Sequence, residues 1–269
     1  MSETMRSSLN TIAGAVCDLM GVAPPNFAAA GNTQIKEYAE NIFGGAKADR
    51  VLMYHPDAVP QWLVEKYPVL MEKVANHTDL ALPFLSPMMP VTPVCFATIY
   101  TGTMPDIHGI KVYERPVLRA DTIFDTLLRA GKKPAVVAHK TCTFAKLFVE
   151  REMDYYFYST IEEMRAKVAE LILEDRYDLI SVHDWIYDSV MHRCGPESIA
   201  ALCEAKGCSD TYAMLDSLVR EHWQHHNVLC AFATDHGCHE IEGSKGDHHD
   251  DIPEDRHILH YYQAYAAKK

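Results

Sequence analysis

Four short, mostly apolar runs constrain this 269-residue chain more than any other feature: residues 50–54, 134–138, 178–182 and 228–233. Each has the length of a strand, and each is continuous rather than alternating in polarity, which suits a strand buried on both faces. Amphipathic stretches separate them. Residues 121–130 place Ile123, Phe124, Leu127 and Leu128 on one side and stop at Gly131. Residues 159–174 read as a helix capped by Thr160 or Ser159, and 198–225 as one or two helices interrupted near Gly207. Further strands are predicted at 155–158 and 258–262, and a helix over about 60–75. Strands alternating with helices predict an α/β fold with a mostly parallel central sheet and helices on both faces. Before it, 6–21 and a shorter stretch near 34–43 have helical spacing, with Pro24-Pro25 between them. At 48% hydrophobic residues, the chain can bury one large core. The expectation is a single domain over 1–269, with 1–48 as a helical extension packed on it.

Sheets of this kind bind ligands beyond the carboxyl ends of their strands, and polar residues collect there. The run 228–233 leads into Thr234-Asp235-His236-Gly237, and Gly246-Asp247-His248-His249-Asp250-Asp251 comes soon after. The run 50–54 leads into His55-Pro56-Asp57. In the loop expected over 183–196, Asp188 and His192 stand four apart, so both face one ion if that loop is helical there. Carboxylate oxygen with imidazole nitrogen suits zinc or another divalent transition metal. Eleven of the fifteen histidines lie at or after His183, which favours a histidine-built site in the C-terminal third. Ordinary uses compete: Asp57 as a helix cap, and Asp235-His236 as a strand end entering a solvated acidic loop. Pro93 and Gly102 bound a short helix. Thr92 then stands at its N-terminus, where free N–H groups suit a phosphoryl oxygen, or serves as its N-cap. Residues 104–110 read as a turn.

The net charge of −12 argues against a nucleic-acid polymer as partner. Eight scattered cysteines contain no CxxC pair, which argues against a cysteine-built zinc site and fits reduced thiols in a cytoplasmic protein. Residues 1–6 lead into an amphipathic stretch rather than a signal peptide. No apolar run approaches transmembrane length, so no membrane contact is expected.

Three stretches carry a family resemblance. The first is Thr92, with Thr101-Gly102 and His108-Gly109-Ile110 after it. The second is Asp188-Ser189-Val190-Met191-His192-Arg193-Cys194-Gly195-Pro196. The third is Thr234-Asp235-His236-Gly237 with Gly246-Asp247-His248. Their order and approximate spacing resemble the alkaline phosphatase superfamily, in its nucleotide pyrophosphatase/phosphodiesterase branch. The resemblance implies two divalent metals, most often zinc and otherwise manganese. Asp188, His192 and His248 would hold one. Asp57, Asp235 and His236 would hold the other, together with the oxygen of Thr92 as nucleophile. It implies a phosphoric ester hydrolase acting on a small phosphorylated substrate through a phospho-threonine, and allows a homo-oligomer. Phosphomonoesterase, phosphonate hydrolase, phosphomutase and a catalytically silent metal binder are the alternatives.

The departures from the family pattern are specific. Cys95 stands where the branch has an asparagine donor, Ala58 where it has glycine, and His249 where it has the glycine after His248. Register favours His248 over His249 as ligand. Substrate-binding candidates are Cys95, Lys111 and Arg193, with Arg115 and Lys140 as further cations.

Overall fold

The computed structural model describes residues 6–243 and 245–268; the expectation for residues 1–5 lies outside them. The strands are β1 (Ser7–Ser8), β2 (Arg50–Pro56), β3 (Leu80–Leu85), β4 (Pro134–His139), β5 (Asp154–Tyr158), β6 (Leu179–Asp184), β7 (Val228–Phe232), β8 (His239–Ile241), β9 (Lys245–Asp247) and β10 (His257–Tyr265). The first helices are α1 (Thr11–Met20), α2 (Thr33–Phe43), α3 (Gln61–Lys66), α4 (Glu72–Asn76), α5 (Thr92–Thr101) and α6 (Pro105–His108). After them come α7 (Ile123–Arg129), α8 (Thr143–Leu147), α9 (Ile161–Glu174), α10 (Ile186–Cys194), α11 (Ile199–His222) and α12 (Pro253–Arg256).

Eight strands form one sheet in the order β1-β3-β10-β7-β2-β6-β4-β5, while β8 and β9 pair separately. Only β10 runs against its neighbours; the other pairings in the sheet are parallel. The polarity is the expected α/β arrangement. Successive residues of each central strand point to opposite faces, and two cores result. Val51, Met53, Leu229 and Ala231 join α1, α2, α5, α7 and α8 on one side. Leu52, Tyr54, Cys230 and Phe232 join α3, α4, α9, α10 and α11 on the other. The strands are therefore apolar throughout because both faces are covered. Capping boxes fix the starts of α7, through Thr122 and Asp125, and α9, through Thr160 and Glu163.

Five local differences from the sequence expectation have physical causes. The helix predicted over 60–75 is three pieces, because Pro68 cannot donate within it and a single 3-10 turn forms at Pro68–Met71. Strand β3 was not expected, since Pro83 lies inside it. Pro83 is tolerated because β3 is flanked by β10 on one side and, only at Phe84 and Leu85, by β1 on the other. The N-terminal segment is more than a helical cover, since β1 joins the sheet. Residues 186–194 form helix α10 rather than a loop. Helix α11 runs unbroken through Gly207 for 24 residues. Neighbouring Ala205, Cys208, Thr211 and Tyr212 are buried and hold the helix together there.

A methyl group built at Gly207 meets only side-chain atoms of Arg165 and Glu204, both 3.8 Å away. Gly207→Ala should therefore stabilise the protein by roughly 0.5–1 kcal/mol in urea unfolding. A loss of stability would mean that the helix is broken at this residue.

Candidate metal centre

Strands β7, β2 and β6 are adjacent, and their carboxyl ends carry the acidic and imidazole groups. Asp57 follows β2, Asp188 and His192 lie on α10 just after β6, and Asp235 and His236 follow β7. A separate loop brings His248 from beyond β9. These residues form two groups whose ligand atoms lie within 4.8 Å of one another: Asp188, His192 and His248, and Asp57, Asp235 and His236. Asp57, Asp235, His236 and His248 are buried; Asp188 and His192 are partly so. The rings of His236 and His248 lie 4.1 Å apart, so the two groups adjoin.

The spacing inside each group is that of atoms around a shared ion. His192 Nε2 lies 3.2 Å from Asp188 Oδ1 and 3.2 Å from His248 Nε2, and His248 Nε2 lies 3.5 Å from Asp188 Oδ1. His236 Nε2 lies 3.5 Å from Asp57 Oδ1 and 3.3 Å from Asp235 Oδ2. A tetrahedral zinc with bonds of about 2.0–2.1 Å keeps its ligand atoms about 3.3 Å apart. Asp57 Oδ1, Asp188 Oδ1 and Asp235 Oδ2 are buried, and none has a hydrogen-bond partner among the described residues. Such acceptors are costly unless a cation meets them. The histidines are oriented for the same purpose. The Nδ1–H of His192 donates to Gly246 O (2.9 Å), that of His236 to Gly237 O (2.9 Å) and that of His248 to Pro90 O (3.1 Å). Each ring thereby turns Nε2 inward, the orientation of a metal-ligating imidazole. A proton or a cation must lie between the facing Nε2 atoms of His192 and His248. The donor set fits two divalent cations.

Electrostatics reflect this crowding. Burial pushes the Asp57 pKa well up, and the charges of Asp235 and Asp188 add to it. Burial also opposes ionisation of Asp188, but the adjacent imidazoles of His192 and His248, 3.2 and 3.5 Å from Oδ1, outweigh it and hold that carboxyl far below the usual range. His192 is pushed up to about 9: burial lowers it, but the Asp188 carboxylate 3.2 Å from its Nε2 outweighs that. His236, with no carboxylate hydrogen-bonded to it, is lowered by burial.

Thr92 is the first residue of α5; Val91 is the N-cap, and no side chain caps this helix. The Thr92 hydroxyl is thus not spent on capping. Its Oγ1 lies 3.4 Å from His236 Nε2, and the first-turn N–H groups of α5 are free of intrahelical partners.

The local sequence explains how the loops hold this geometry. Thr234 Oγ1 accepts from Val59 N (3.1 Å), joining the β7 and β2 loops, and Ala58 N donates to Asp235 Oδ1 (3.2 Å). A Cβ on Gly237 would collide with the Glu254 carbonyl, and one on Gly246 would lie 2.6 Å from Met191 Sδ. Gly246 must be glycine for its carbonyl to reach His192. A third group of suitable spacing, His239, Asp250 and Asp255, acts instead as a staple. Asp255 accepts from His239 Nδ1 (2.8 Å) and Asp250 N (2.9 Å), and its carbonyl accepts from Gly237 N (2.7 Å).

The remaining candidates separate clearly. His248 enters a ligand group, whereas His249 is half-exposed and faces Asp247 and Asp250. Cys95 is fully buried, and its thiol is raised well above its usual pKa by burial and by the charges of Asp235 and Asp57. Lys111 pairs with Asp106 (2.5 Å). Neither lines the cavities at the site, and Lys140 does not either. Arg115 and Arg193 do, in a cavity of about 400 Å³ that also contains Tyr113, His139, His183 and Trp185. An adjoining cavity of about 360 Å³, with Met89, Val91 and His249, shares Thr92, Tyr113, Asp188 and His192 with it. His183 was missed in the sequence, although it stands at a strand end like the ligands. Its Nε2–H donates to Asp57 Oδ2 (3.0 Å), which turns Oδ1 toward His236.

No family model matches the chain, and no curated protein matches it by sequence. Solved structures match its fold. Murine ectonucleotide pyrophosphatase/phosphodiesterase 5 aligns with a TM-score of 0.58 at 17% identity, over 72% of this chain and 58% of that one. Its inactive threonine-to-alanine variant in complex with AMP gives a TM-score of 0.57, again at 17% identity, over 72% of this chain and 59% of that one. Phosphonoacetate hydrolase from Sinorhizobium meliloti, in complex with phosphonoformate, aligns at 0.55 and 18% identity, over 74% of this chain and 59% of that one. The chain thus has the alkaline phosphatase-like fold and spans under three fifths of the length of these proteins.

This geometry has two measurable outcomes. A metal must displace the proton on His192. The His192–Asp188 pair stabilises the metal-free protein fully below the ordinary histidine pKa, and that contribution is lost as pH rises through about 9. The rise in Tm on adding zinc should therefore be larger at about pH 8.5 than at about pH 6; a pH-independent rise would contradict shared occupancy of this nitrogen by metal and proton. His249 has φ 121°, so His249→Gly should stabilise the protein by about 1 kcal/mol in urea unfolding; an unchanged or lowered midpoint would mean that its contacts with Asp247 and Asp250 outweigh the strain.

Proposed function

We propose that this protein is a two-metal phosphoric ester hydrolase in which Thr92 is the nucleophile. The observation that supports this best is the set of three buried carboxylate oxygens without hydrogen-bond partners among the described residues, together with the Thr92 hydroxyl, which caps no helix and lies 3.4 Å from His236 of the same cluster. Asp188, His192 and His248 would hold one divalent cation, and Asp57, Asp235 and His236 the other, with zinc favoured by the mixed oxygen and nitrogen donors. Bound there, the cations would make the Thr92 hydroxyl acidic and offset charge on the phosphoryl oxygens.

The chain's own residues do the rest. Thr92 Oγ1 gives its proton to solvent and forms a P–O bond in line as the P–O bond to the ester oxygen breaks, that oxygen leaving with the bonding electrons; water then forms the new P–O bond as the P–Oγ1 bond breaks, and its proton restores the Thr92 hydroxyl. The free N–H groups at the start of α5 point a partial positive charge at the phosphoryl group. His183 keeps Asp57 turned toward its partners, and the Nδ1–H bonds of the three histidines fix their tautomer.

A substrate with two arms is favoured over a simple monoester. Thr92 lies on the wall shared by two cavities, so a phosphorus placed at its oxygen has room for a substituent on each side. The fold relatives include an enzyme named as a nucleotide pyrophosphatase/phosphodiesterase, whose inactive variant was solved with AMP, and a phosphonoacetate hydrolase. Small phosphorylated or phosphonylated molecules are accordingly the substrate class. Diester cleavage is the first reading and phosphonate hydrolysis the second.

Thr92→Ala should lower kcat for bis-p-nitrophenyl phosphate by about a thousandfold or more while metal content by plasma emission stays unchanged. Asp188→Ala should lose metal. Full activity in the first variant removes Thr92 as nucleophile, and unchanged metal content in the second removes the ligand assignment.

A further inference from the structure

We infer that the substrate carries a second anionic group, a carboxylate or a phosphate, which Arg115 and Arg193 hold in the larger cavity. The inference rests on the hydrolase reading above and names the substrate class for that site. Both guanidinium groups line the cavity that contains Thr92, and neither has a carboxylate partner among the described residues. Arg193 follows the candidate ligand His192 on α10; its Nε donates to Ser189 O (3.0 Å), and both terminal nitrogens are free of hydrogen bonds to the described residues. Arg115 donates to the Tyr113 hydroxyl (2.6 Å) and the Thr141 carbonyl (3.4 Å), and its guanidinium sits 5.5 Å above the Tyr113 ring. These partners are neutral. They orient the planar forks without consuming their charge, which leaves donors suited to a carboxylate or a phosphate.

Most other arginines of the molecule are paired with carboxylates. A cavity of about 380 Å³ elsewhere is lined by Arg119, Arg129 and Arg151. Each is paired there: with Glu150 (2.8 Å), Asp121 (2.7 Å) and Asp125 (3.0 Å). Arg50, Arg176 and Arg256 are also paired with carboxylates. Arg165 and Arg220 lack such partners, but Arg165 is bound to Thr211 and Gly207, and Arg220 covers the Tyr265 ring. In a chain of net charge −12, acids are plentiful, so two unpaired guanidiniums beside one nucleophile call for an anion from outside. A place in the last turn of α10 accounts for the sign of Arg193, but not for Arg115 on a different segment of the same cavity. The smaller cavity holds no lysine or arginine and contains Asp247, Met89 and Val91. The two arms of the substrate therefore differ: the anionic arm lies with the arginines, the other with the apolar residues.

The test uses three mono-p-nitrophenyl esters, of phosphonoacetate, of methylenediphosphonate and of propylphosphonate, with zinc-loaded protein. Each loses p-nitrophenolate by cleavage of the same P–O bond, the phosphonyl group passing to Thr92 Oγ1 and then to water. The carboxylate or phosphonate ester should exceed the propyl ester in kcat/KM by roughly ten- to a hundredfold, as for a charged hydrogen bond. Whichever leads identifies the source of the anion. That ratio should fall toward one in Arg115→Gln and Arg193→Gln, both exposed positions. A ratio near one in the wild type, or unchanged in both variants, overturns the inference while the hydrolase reading stands. If no ester is cleaved, calorimetry with phosphonoacetate and propylphosphonate decides. An arginine-dependent preference for phosphonoacetate keeps the anion site without the hydrolase; equal affinities overturn it.

Discussion

The repulsion among Asp57, Asp188 and Asp235 is the constraint on which the structure around the site depends. Three carboxylates stand at the ends of three adjacent strands, two of them fully buried. In a medium less polar than water, like charges this close oppose one another strongly; burial first, and then the charges of Asp235 and Asp188, raise the Asp57 pKa. One oxygen of each of the buried pair is satisfied by a donor from the chain: His183 for Asp57, and the N–H groups of Ala58 and His236 for Asp235. The other oxygens are left to face inward. A local arrangement this unfavourable persists only where the surroundings over-determine it. Here two cores clamp the sheet from both sides, and Tyr54, hydrogen-bonded to Asp184 at 2.5 Å, ties β2 to β6 directly beneath the site.

The same over-determination accounts for Ala58 and His249, which stand where the pattern the sequence resembles has glycine. Both residues adopt left-handed backbone, with φ of 62° and 121°, a conformation that glycine reaches without a Cβ clash. Each comes directly after a candidate ligand, so the turn that aims the ligand demands the conformation whatever residue occupies it. Ala58 offsets part of the strain by burying its methyl group in the core with Val59 and Leu63. His249 has no such burial and faces two aspartates instead. Cys95 is a different kind of departure. Asparagine, which the resembled pattern has there, would be a donor, but in this chain the position is sealed within the core and takes no part in lining the cavity.

Much of this arrangement could be read from residues alone because the sheet is parallel and doubly covered. Residues 50–54 and 228–233 are apolar without alternation, and the residues directly after each run are forced to the sheet's carboxyl edge; Asp57 and Asp235 were visible for that reason. Asp188 and His192 were visible through their spacing, although the helix that makes the spacing meaningful was not, since residues 183–196 mix polar and aromatic residues without a clear stripe. His183 was hidden because a histidine ending a strand has many ordinary uses, and its role depends on the distance to Asp57, which no local pattern encodes. The cavity arginines were visible only as cations. Their significance comes from what does not stand beside them, a tertiary fact. Strand β3 escaped because Pro83 contradicts a central strand, and only its thin partnership with β1 reconciles the two.

That thin partnership gives β10 a disproportionate place in the chain's assembly. Strands β1 and β3 touch the remainder of the sheet through β10 alone, yet β3 precedes most of the central strands in sequence and β10 comes after all of them. During synthesis the two early strands therefore have no place in the sheet until nearly all the rest has emerged. Asp255, the staple of both ligand loops, sits just before β10 and arrives at the same moment. Closure of the sheet and completion of the candidate site are in this sense one event, and a chain stalled before it would carry its three carboxylates and an unpaired strand edge together.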